Sequence, residues 1–395
     1  MEVSDTAKQR PLTVLLGCDT FTPDINGAAR FAERLSAGLV QRGHTVHVSA
    51  PNVAHREEEP RFERVEGEDL VVHRLPSVAL WSHDWLRFVW PWRSKHYARR
   101  VLDRVKPDVV HIQSHIVIGR GLTREARKRG IPVIATNHTM AENVLDFTRL
   151  PEWGNRIFVK QAWADAERTF RMCAAVTTPT RKAAEFLEKT IDISGVIPVS
   201  CGIDKSQYTA DLTPREDTRI VFVGRLTSEK RVDDVLRAAA RLGDDVIVEL
   251  VGDGDQRANL EALATELGIR DRVVFHGHTT DEELRAALTR ATVFAIASIA
   301  ELQSIATMEA MASGLPIVAA NAVALPHLVS DGENGYLFEP GDIDQLTDRL
   351  RDVIDASPER YLEMQRASLE MVEVHDIGRT LDTFEALYRG EPIPE

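Results

Sequence analysis

The chain of 395 residues holds only three cysteines, Cys18, Cys173 and Cys201, and no C-x-x-C spacing. That scarcity excludes a disulfide scaffold and a cysteine-ligated zinc site. No run of 18 apolar residues occurs, so no membrane-spanning helix is expected. The segment Met1 to Arg10 is polar and lacks the apolar centre of a signal peptide, which leads to the expectation of a cytoplasmic protein. A glycine fingerprint of the G-x-G-x-x-G type follows neither of the two opening strands, which disfavours a dinucleotide oxidoreductase. A G-x-S-x-G elbow is also missing, as a serine hydrolase would need. No cluster of histidines and carboxylates has metal-ligand spacing, and no repeat of 20–50 residues is present.

What is present is ordinary globular material, with 43% hydrophobic and 28% charged residues, in a length that suits two domains. The net charge of −13 is divided unevenly, at +5 over residues 1–200 and −18 over 201–395. An acidic second half argues against general nucleic-acid binding. The mildly basic first half leaves room for an anionic partner, most simply a membrane surface. The acidic run Glu57–Glu59 reads as a solvated loop.

Short β-branched runs alternate with amphipathic stretches. Thr13–Leu16 reads as a buried strand and Ala28–Arg42 as a helix with Phe31, Leu35 and Leu39 on one face, closed by Gly43. Strands at 45–49, 108–112 and 132–136 and a helix at 121–129 continue this first series. A second begins with strand Arg219–Val223, followed by helix 231–241, strand 246–251, helix 256–267, strand 272–275, strands 292–296 and 316–320, and a helix at 305–313. Such alternation means parallel sheets covered on both faces. The seam falls in the polar stretch Asp204–Asp217.

Ligands of parallel sheets lie beyond the carboxyl ends of the strands, and the unusual residues stand there. Gly27 ends a loop that runs into a helix start, where free N–H groups favour an anion. After strand 219–223 come Gly224, Arg225 and Lys230, two fixed cations suited to a diphosphate whose charge grows as it departs. Gly252 and Gly254 follow the next strand as places where backbone makes room. The segment Ser298–Ala319 places Glu301 at a strand end and Glu309 inside the following helix. Backbone amides around Gln303, Ser304 and Ile305 then lie between two carboxylates that accept bonds from sugar and ribose hydroxyls. His111 falls in a strand, and His115 in the loop after it is a candidate acceptor contact.

The Glu301-x7-Glu309 segment, with Phe222–Lys230, Pro198–Asp204 and Asp331–Phe338, resembles retaining glycosyltransferases of family 4 across nearly the whole chain. The resemblance implies an α/β protein of GT-B architecture, two Rossmann-like doubly wound parallel-sheet domains facing a central cleft. It implies an acceptor-binding domain over 1–204, a nucleotide-sugar donor domain over 205–375, and a tail helix over 376–395, with Phe384, Leu387 and Tyr388, packing back on the first domain. Carried over by position, Glu301 contacts the donor sugar, Glu309 the ribose, and Arg225 and Lys230 the diphosphate. Gly27 lets the first loop approach the donor, and His138 stands beside the reacting carbon. Many members have Gly-Phe-Gly after the first glutamate, where this chain has Leu302-Gln303-Ser304. The implied activity is hexosyl transfer with retention from a UDP- or GDP-sugar, the nucleotide sugar being a co-substrate, with no cofactor and no metal. A GT-B epimerase, or a transferase with a soluble sugar or small-molecule acceptor, is the alternative.

Four of six tryptophans fall within Trp81–Trp92, with Arg87, Arg93, Lys95, Arg99 and Arg100 among and after them. Tryptophan beside arginine is the composition of an interfacial segment. Since Pro91 interrupts any single helix, a short aromatic helix followed by a basic one is expected. Trp85, Trp90 and Arg93 are the candidate contacts with an anionic membrane carrying a lipid-linked acceptor, such as a diacylglycerol or phosphatidylinositol derivative. That would add peripheral attachment on the inner face of the cell membrane to the cytoplasmic expectation.

Overall fold

A computed structural model describes residues 10–24, 26–54, 58–80, 83–138, 151–213, 215 and 217–394. The side chains of residues 80 and 83–86 are outside that description, as are Glu57 and Trp81, so the readings of Glu57, Trp81 and the Trp85 side chain lie outside the described residues. The chain divides into two compact units, Met1–Val199 with Leu381–Glu395, and Ser200–Thr380.

The first unit is built on an eight-stranded sheet. Its strands are β1 (Thr13–Gly17), β2 (Thr45–Pro51), β3 (Arg61–Val65), β4 (Glu68–Leu75), β7 (Val109–Ile112), β8 (Val133–Thr136), β9 (Ala175–Thr178) and β10 (Ile197–Pro198), in the order β10-β9-β8-β7-β1-β2-β4-β3. All pairs are parallel except β3 with β4. A separate antiparallel hairpin joins β5 (Ser77–Leu80) and β6 (His83–Val89). Helices α1 (Gly27–Gln41), α2 (Ser94–Val105), α3 (Ile118–Lys128), α4 (Glu152–Phe170) and α5 (Arg181–Thr190) complete the layers.

Helix α1 starts where Asn26 accepts a bond from the Ala29 amide at 3.0 Å, a side-chain N-cap. It buries Phe31, Leu35 and Leu39, as the 3.6-residue spacing requires. Gly38 interrupts the apolar face for a packing reason, since a Cβ there would lie 2.7 Å from Leu381 Cδ1. Leu381 belongs to the last helix, Ile377–Arg389. Within the first unit that helix buries Phe384 against Phe31, with ring centroids 5.8 Å apart, and pairs Asp382 and Glu385 with Arg42 at 2.6 and 2.7 Å.

Two elements differ from the sequence reading. The aromatic segment is not a helix: β6 runs to Val89 and pairs Phe88 with Val78 and Arg87 with Ala79, in line with the strand preference of aromatic and β-branched residues. Pro91 then opens a 3₁₀ turn, Pro91–Arg93, ahead of α2. Helix α3 begins at Ile118 rather than 121, because a distant carboxylate caps it. Asp19 accepts from the amides of Val117 and Ile118 at 3.2 and 2.9 Å and from the Ser114 hydroxyl. Burial raises the Asp19 carboxyl above its usual range, and these donors oppose that rise.

The second unit holds a six-stranded, wholly parallel sheet of β11 (Arg219–Val223), β12 (Ile247–Val251), β13 (Val273–Gly277), β14 (Val293–Ile296), β15 (Ile317–Ala320) and β16 (Gly335–Phe338). The order is β13-β12-β11-β14-β15-β16. Helices α6 (Val232–Ala239), α7 (Arg257–Glu266), α8 (Asp281–Arg290), α9 (Ile305–Ala312), α10 (Ile343–Ile354) and α11 (Pro358–Met371) flank it. Strand order reverses between β11 and β14, the switch point where such sheets open a crevice. Among the described residues, no helix is long and apolar enough to cross a membrane.

Candidate functional site

In the second unit the loops that follow β11 and β14 meet at this switch point. The Ile299 amide donates to the Glu229 carbonyl at 3.1 Å, and Lys230 forms an ion pair with Glu301. The structure therefore brings together two residues that the sequence reading had given separate tasks, diphosphate and sugar. Both side chains are mostly shielded from water, where a fixed charge acts more strongly than at an open surface. Arg225 lies 3.4 Å from Glu229 and is about one-third exposed. Between Arg225 and Lys230, the buried Thr227 hydroxyl has no hydrogen-bond partner, a polar group the sequence reading missed. Nothing in its local sequence separates it from an ordinary turn threonine.

Gly224 and Gly252 serve this loop differently from the sequence expectation. Gly252 has φ 133°, and a Cβ on it would stand 2.0 Å from the Gly224 carbonyl oxygen. The room made at Gly252 is taken by the neighbouring loop itself, which locks the Gly224–Lys230 turn in place.

Helix α9 starts beneath these loops. Ser304 caps it, with its hydroxyl accepting from the Thr307 amide at 3.2 Å, so the first-turn amides left without an intrahelical partner are those of Ile305 and Ala306. Gln303 turns its amide away, donating to Ser200 Oγ at 3.1 Å and accepting from the Cys201 amide at 2.7 Å. The bulk in place of the family's Gly-Phe-Gly is thereby absorbed within the unit. Glu309, buried one turn further on, accepts a bond from the Tyr208 hydroxyl at 3.0 Å. The first-turn amides and dipole of α9, which starts four residues after Glu301, favour an anion.

In the first unit histidines stand on β7 and after β7 and β8. His138, after β8, holds Gln113 Oε1 at 3.0 Å through Nε2 and lies over Phe31, with centroids 4.7 Å apart. Burial pushes its imidazole down to about 3, so it is neutral at pH 7. His111 is fully buried and bonded to Tyr388 and Thr136, each at 2.7 Å. It too is pushed down to about 3 by burial and, secondarily, by His138. Gly27 is the exposed first residue of α1. His115 is not open to an acceptor: it is buried edge-on to Phe170, with its Nδ1 unpartnered, and burial pushes it down to about 4.

Trp90 and Trp92 stack at 4.6 Å and are 37% and 72% exposed. Arg93 and Lys95 beside them are exposed. Arg87 faces inward, donating to the Asn52 carbonyl and Ser77 hydroxyl at 3.1 and 3.0 Å, which removes it from any surface role. A second apolar face was missed by the sequence reading: Trp153 and Ile157 on α4 are 69% and 62% exposed. Their four-residue spacing was the available signal. Among the described residues no cluster of three His, Cys, Asp or Glu side chains could hold a metal ion.

Comparison with known proteins yields two family models. The one described as glycosyltransferase family 4 matches residues 25–207, and the one described as glycosyl transferases group 1 matches residues 205–370. A GDP-mannose-dependent alpha-mannosyltransferase of Mycolicibacterium smegmatis is 28% identical over 83% of this chain and 84% of its own. An alpha-monoglucosyldiacylglycerol synthase of Streptococcus pneumoniae is 25% identical over 93% of this chain and 83% of its own. The solved sucrose-phosphate synthase of Thermosynechococcus elongatus superposes with a TM-score of 0.79 at 17% identity, over 96% and 99% of the two chains; it shares the GT-B fold.

Proposed function

The chain belongs to glycosyltransferase family 4, and from that premise we propose that it moves a hexose from a nucleoside diphosphate sugar to a lipid-linked acceptor with retention of anomeric configuration. The observation that carries the donor half of this reading is the Lys230–Glu301 pair at the switch point of the six-stranded sheet, beside the start of α9. In the proposal the diphosphate takes Lys230, Arg225 and the first-turn amides of α9 as its partners. Glu301 accepts sugar hydroxyls and Glu309 the ribose diol. The departing diphosphate gains charge towards the transition state, so fixed cations stabilise it more than the bound donor. His138, neutral at pH 7, serves the reacting carbon as a hydrogen-bonding group and not as a cation.

The mannosyltransferase relative supports GDP-mannose as the first donor to try, and the diacylglycerol synthase relative supports a lipid acceptor. The stacked, exposed Trp90 and Trp92 beside Arg93 and Lys95 support peripheral docking on anionic lipid. Each basic residue near such a surface contributes about 1 kcal/mol, so docking weakens with salt.

The deciding experiment incubates the full chain with a panel of GDP- and UDP-hexoses, with and without anionic vesicles containing diacylglycerol or phosphatidylinositol. Transfer to the lipid with an unchanged anomeric centre is expected. Release of an epimerised nucleotide sugar without acceptor would replace the reading by an epimerase, and transfer only to soluble sugars would remove the lipid. In vesicle co-sedimentation, Trp90→Ser/Trp92→Ser should lower binding to anionic vesicles; unchanged binding would contradict the docking surface.

A further inference from the structure

Glu309 reaches its position from inside α9, and its carboxylate is held by a residue far away in sequence. Tyr208 follows the short 3₁₀ turn Lys205–Gln207, which Asp204 caps by accepting from the Ser206 amide at 3.0 Å. The turn is fixed at its base, where the Ile203 amide donates to the His375 carbonyl at 2.8 Å and the Ile203 carbonyl accepts from the Ile377 amide at 3.1 Å. The same segment is tied to the start of α9 by Gln303, through Ser200 Oγ and the Cys201 amide. Residues 200–208 thus form a strap bonded to α9 and its leading loop at Gln303 and Glu309, both buried. Tyr208 itself is half-buried, and its ring carries the hydroxyl to 3.0 Å from Glu309 Oε1.

A carboxylate offers about four acceptor sites over its two oxygens. An O–H donor of fixed direction at Oε1 helps to set the rotation of the group. A carboxylate already turned by that donor needs less ordering by the ligand, which favours binding. We propose that Tyr208 is a positioning residue for the donor: its hydroxyl pre-orients the Glu309 carboxylate towards the ribose hydroxyls of the nucleotide. This rests on the assignment of Glu309 to ribose made above. It adds a residue outside the Glu301-x7-Glu309 motif, supplied by the strap.

The test is calorimetric binding of GDP and of its 2′,3′-dideoxy analogue to the wild type, Tyr208→Phe and Glu309→Gln. Phenylalanine keeps the ring and removes only the hydroxyl, and equal melting temperatures for Tyr208→Phe and wild type show that the strap persists. The wild type should prefer GDP over the dideoxy analogue, and Glu309→Gln should abolish most of that preference. Tyr208→Phe should reduce the preference about threefold to tenfold, the worth of one hydrogen bond, with dideoxy binding unchanged. Equal weakening of both ligands in Tyr208→Phe, or no weakening, would overturn the positioning role while leaving Glu309 in place. A Glu309→Gln protein that still prefers GDP would instead remove the ribose assignment itself, and the proposal with it. In steady state the Tyr208→Phe effect should fall on donor KM, with kcat near wild type; a matching fall in kcat would also count against it.

Discussion

The histidines around β7 and β8 of the first unit and the charged residues on the second unit's sheet are held by opposite means. In the second unit charge is kept and paired: Lys230 with Glu301, and the buried Glu249 with Arg219 and Arg290. Burial alone would raise Glu249, yet bonds from Arg290, His276 and Arg219 hold it below the usual carboxylate range. Three histidines of the first unit lose their charge instead: His111, His115 and His138 are all driven far below their ordinary value by burial, and His111 and His138 are linked through the neutral Gln113 amide. The contrast suits the chemistry proposed. A leaving diphosphate needs fixed cations, whereas a reacting sugar carbon, where positive charge develops, is served by groups that add none.

The largest effect should come from breaking the charged half. Lys230→Ala removes a cation whose interaction grows as the diphosphate leaves, so kcat should fall about a hundredfold to a thousandfold. Glu309→Gln should instead raise donor KM about tenfold, with kcat nearly kept. Steady-state kinetics at saturating acceptor separates the two.

The neutral half is broken by giving it a charge. Gln113→Glu places a carboxylate on His138 Nε2, and a nearby negative charge favours the imidazolium. The His138 pKa should climb from about 3 towards neutrality, visible by NMR titration. Activity should then fall as pH drops through the new value. An unaltered pH profile would show that the neutral ring is not what the reaction uses.

A smaller effect lies in stability. A histidine held at about 4 when folded and near 6.5 when unfolded binds its proton preferentially in the unfolded chain. Stability conferred by neutral His115 is therefore full above about pH 6.5 and is lost as pH falls towards about 4. At pH 5 this amounts to roughly 2 kcal/mol. His115→Leu should flatten the pH dependence of chemical denaturation in this window; an unchanged slope would contradict the burial account.

The sequence was most readable where local pattern and burial agree. The alternation of strand and helix, the strand ends that carry Arg225, Lys230 and Glu301, and the apolar face of α1 all follow from short-range periodicity. Reading failed where a distant partner decides. The start of α3 depends on Asp19, which lies in the loop after β1. Gly119 stands in the first turn of that helix because a Cβ there would come within 1.8 Å of the Ser114 carbonyl oxygen, although glycine by itself disfavours helix. Trp85–Val89 looked helical by composition but pairs as a strand with the distant segment Ser77–Leu80. Gln113, Tyr208 and Thr227 gave no signal, since their place in the candidate site comes from packing and not from motif.

In the proposed reading, charge for the diphosphate sits in the second unit alone, on Lys230 and Arg225. Calorimetric titration of the wild type, Lys230→Ala and His138→Ala with GDP and GMP, and with UDP and UMP, tests it most directly. Wild type and His138→Ala should prefer the diphosphate of one nucleotide pair by about tenfold or more, the scale of a charged hydrogen bond, and Lys230→Ala should lose that preference. A Lys230→Ala protein that keeps it, or a His138→Ala protein that loses it, would contradict the division of charge between the two halves.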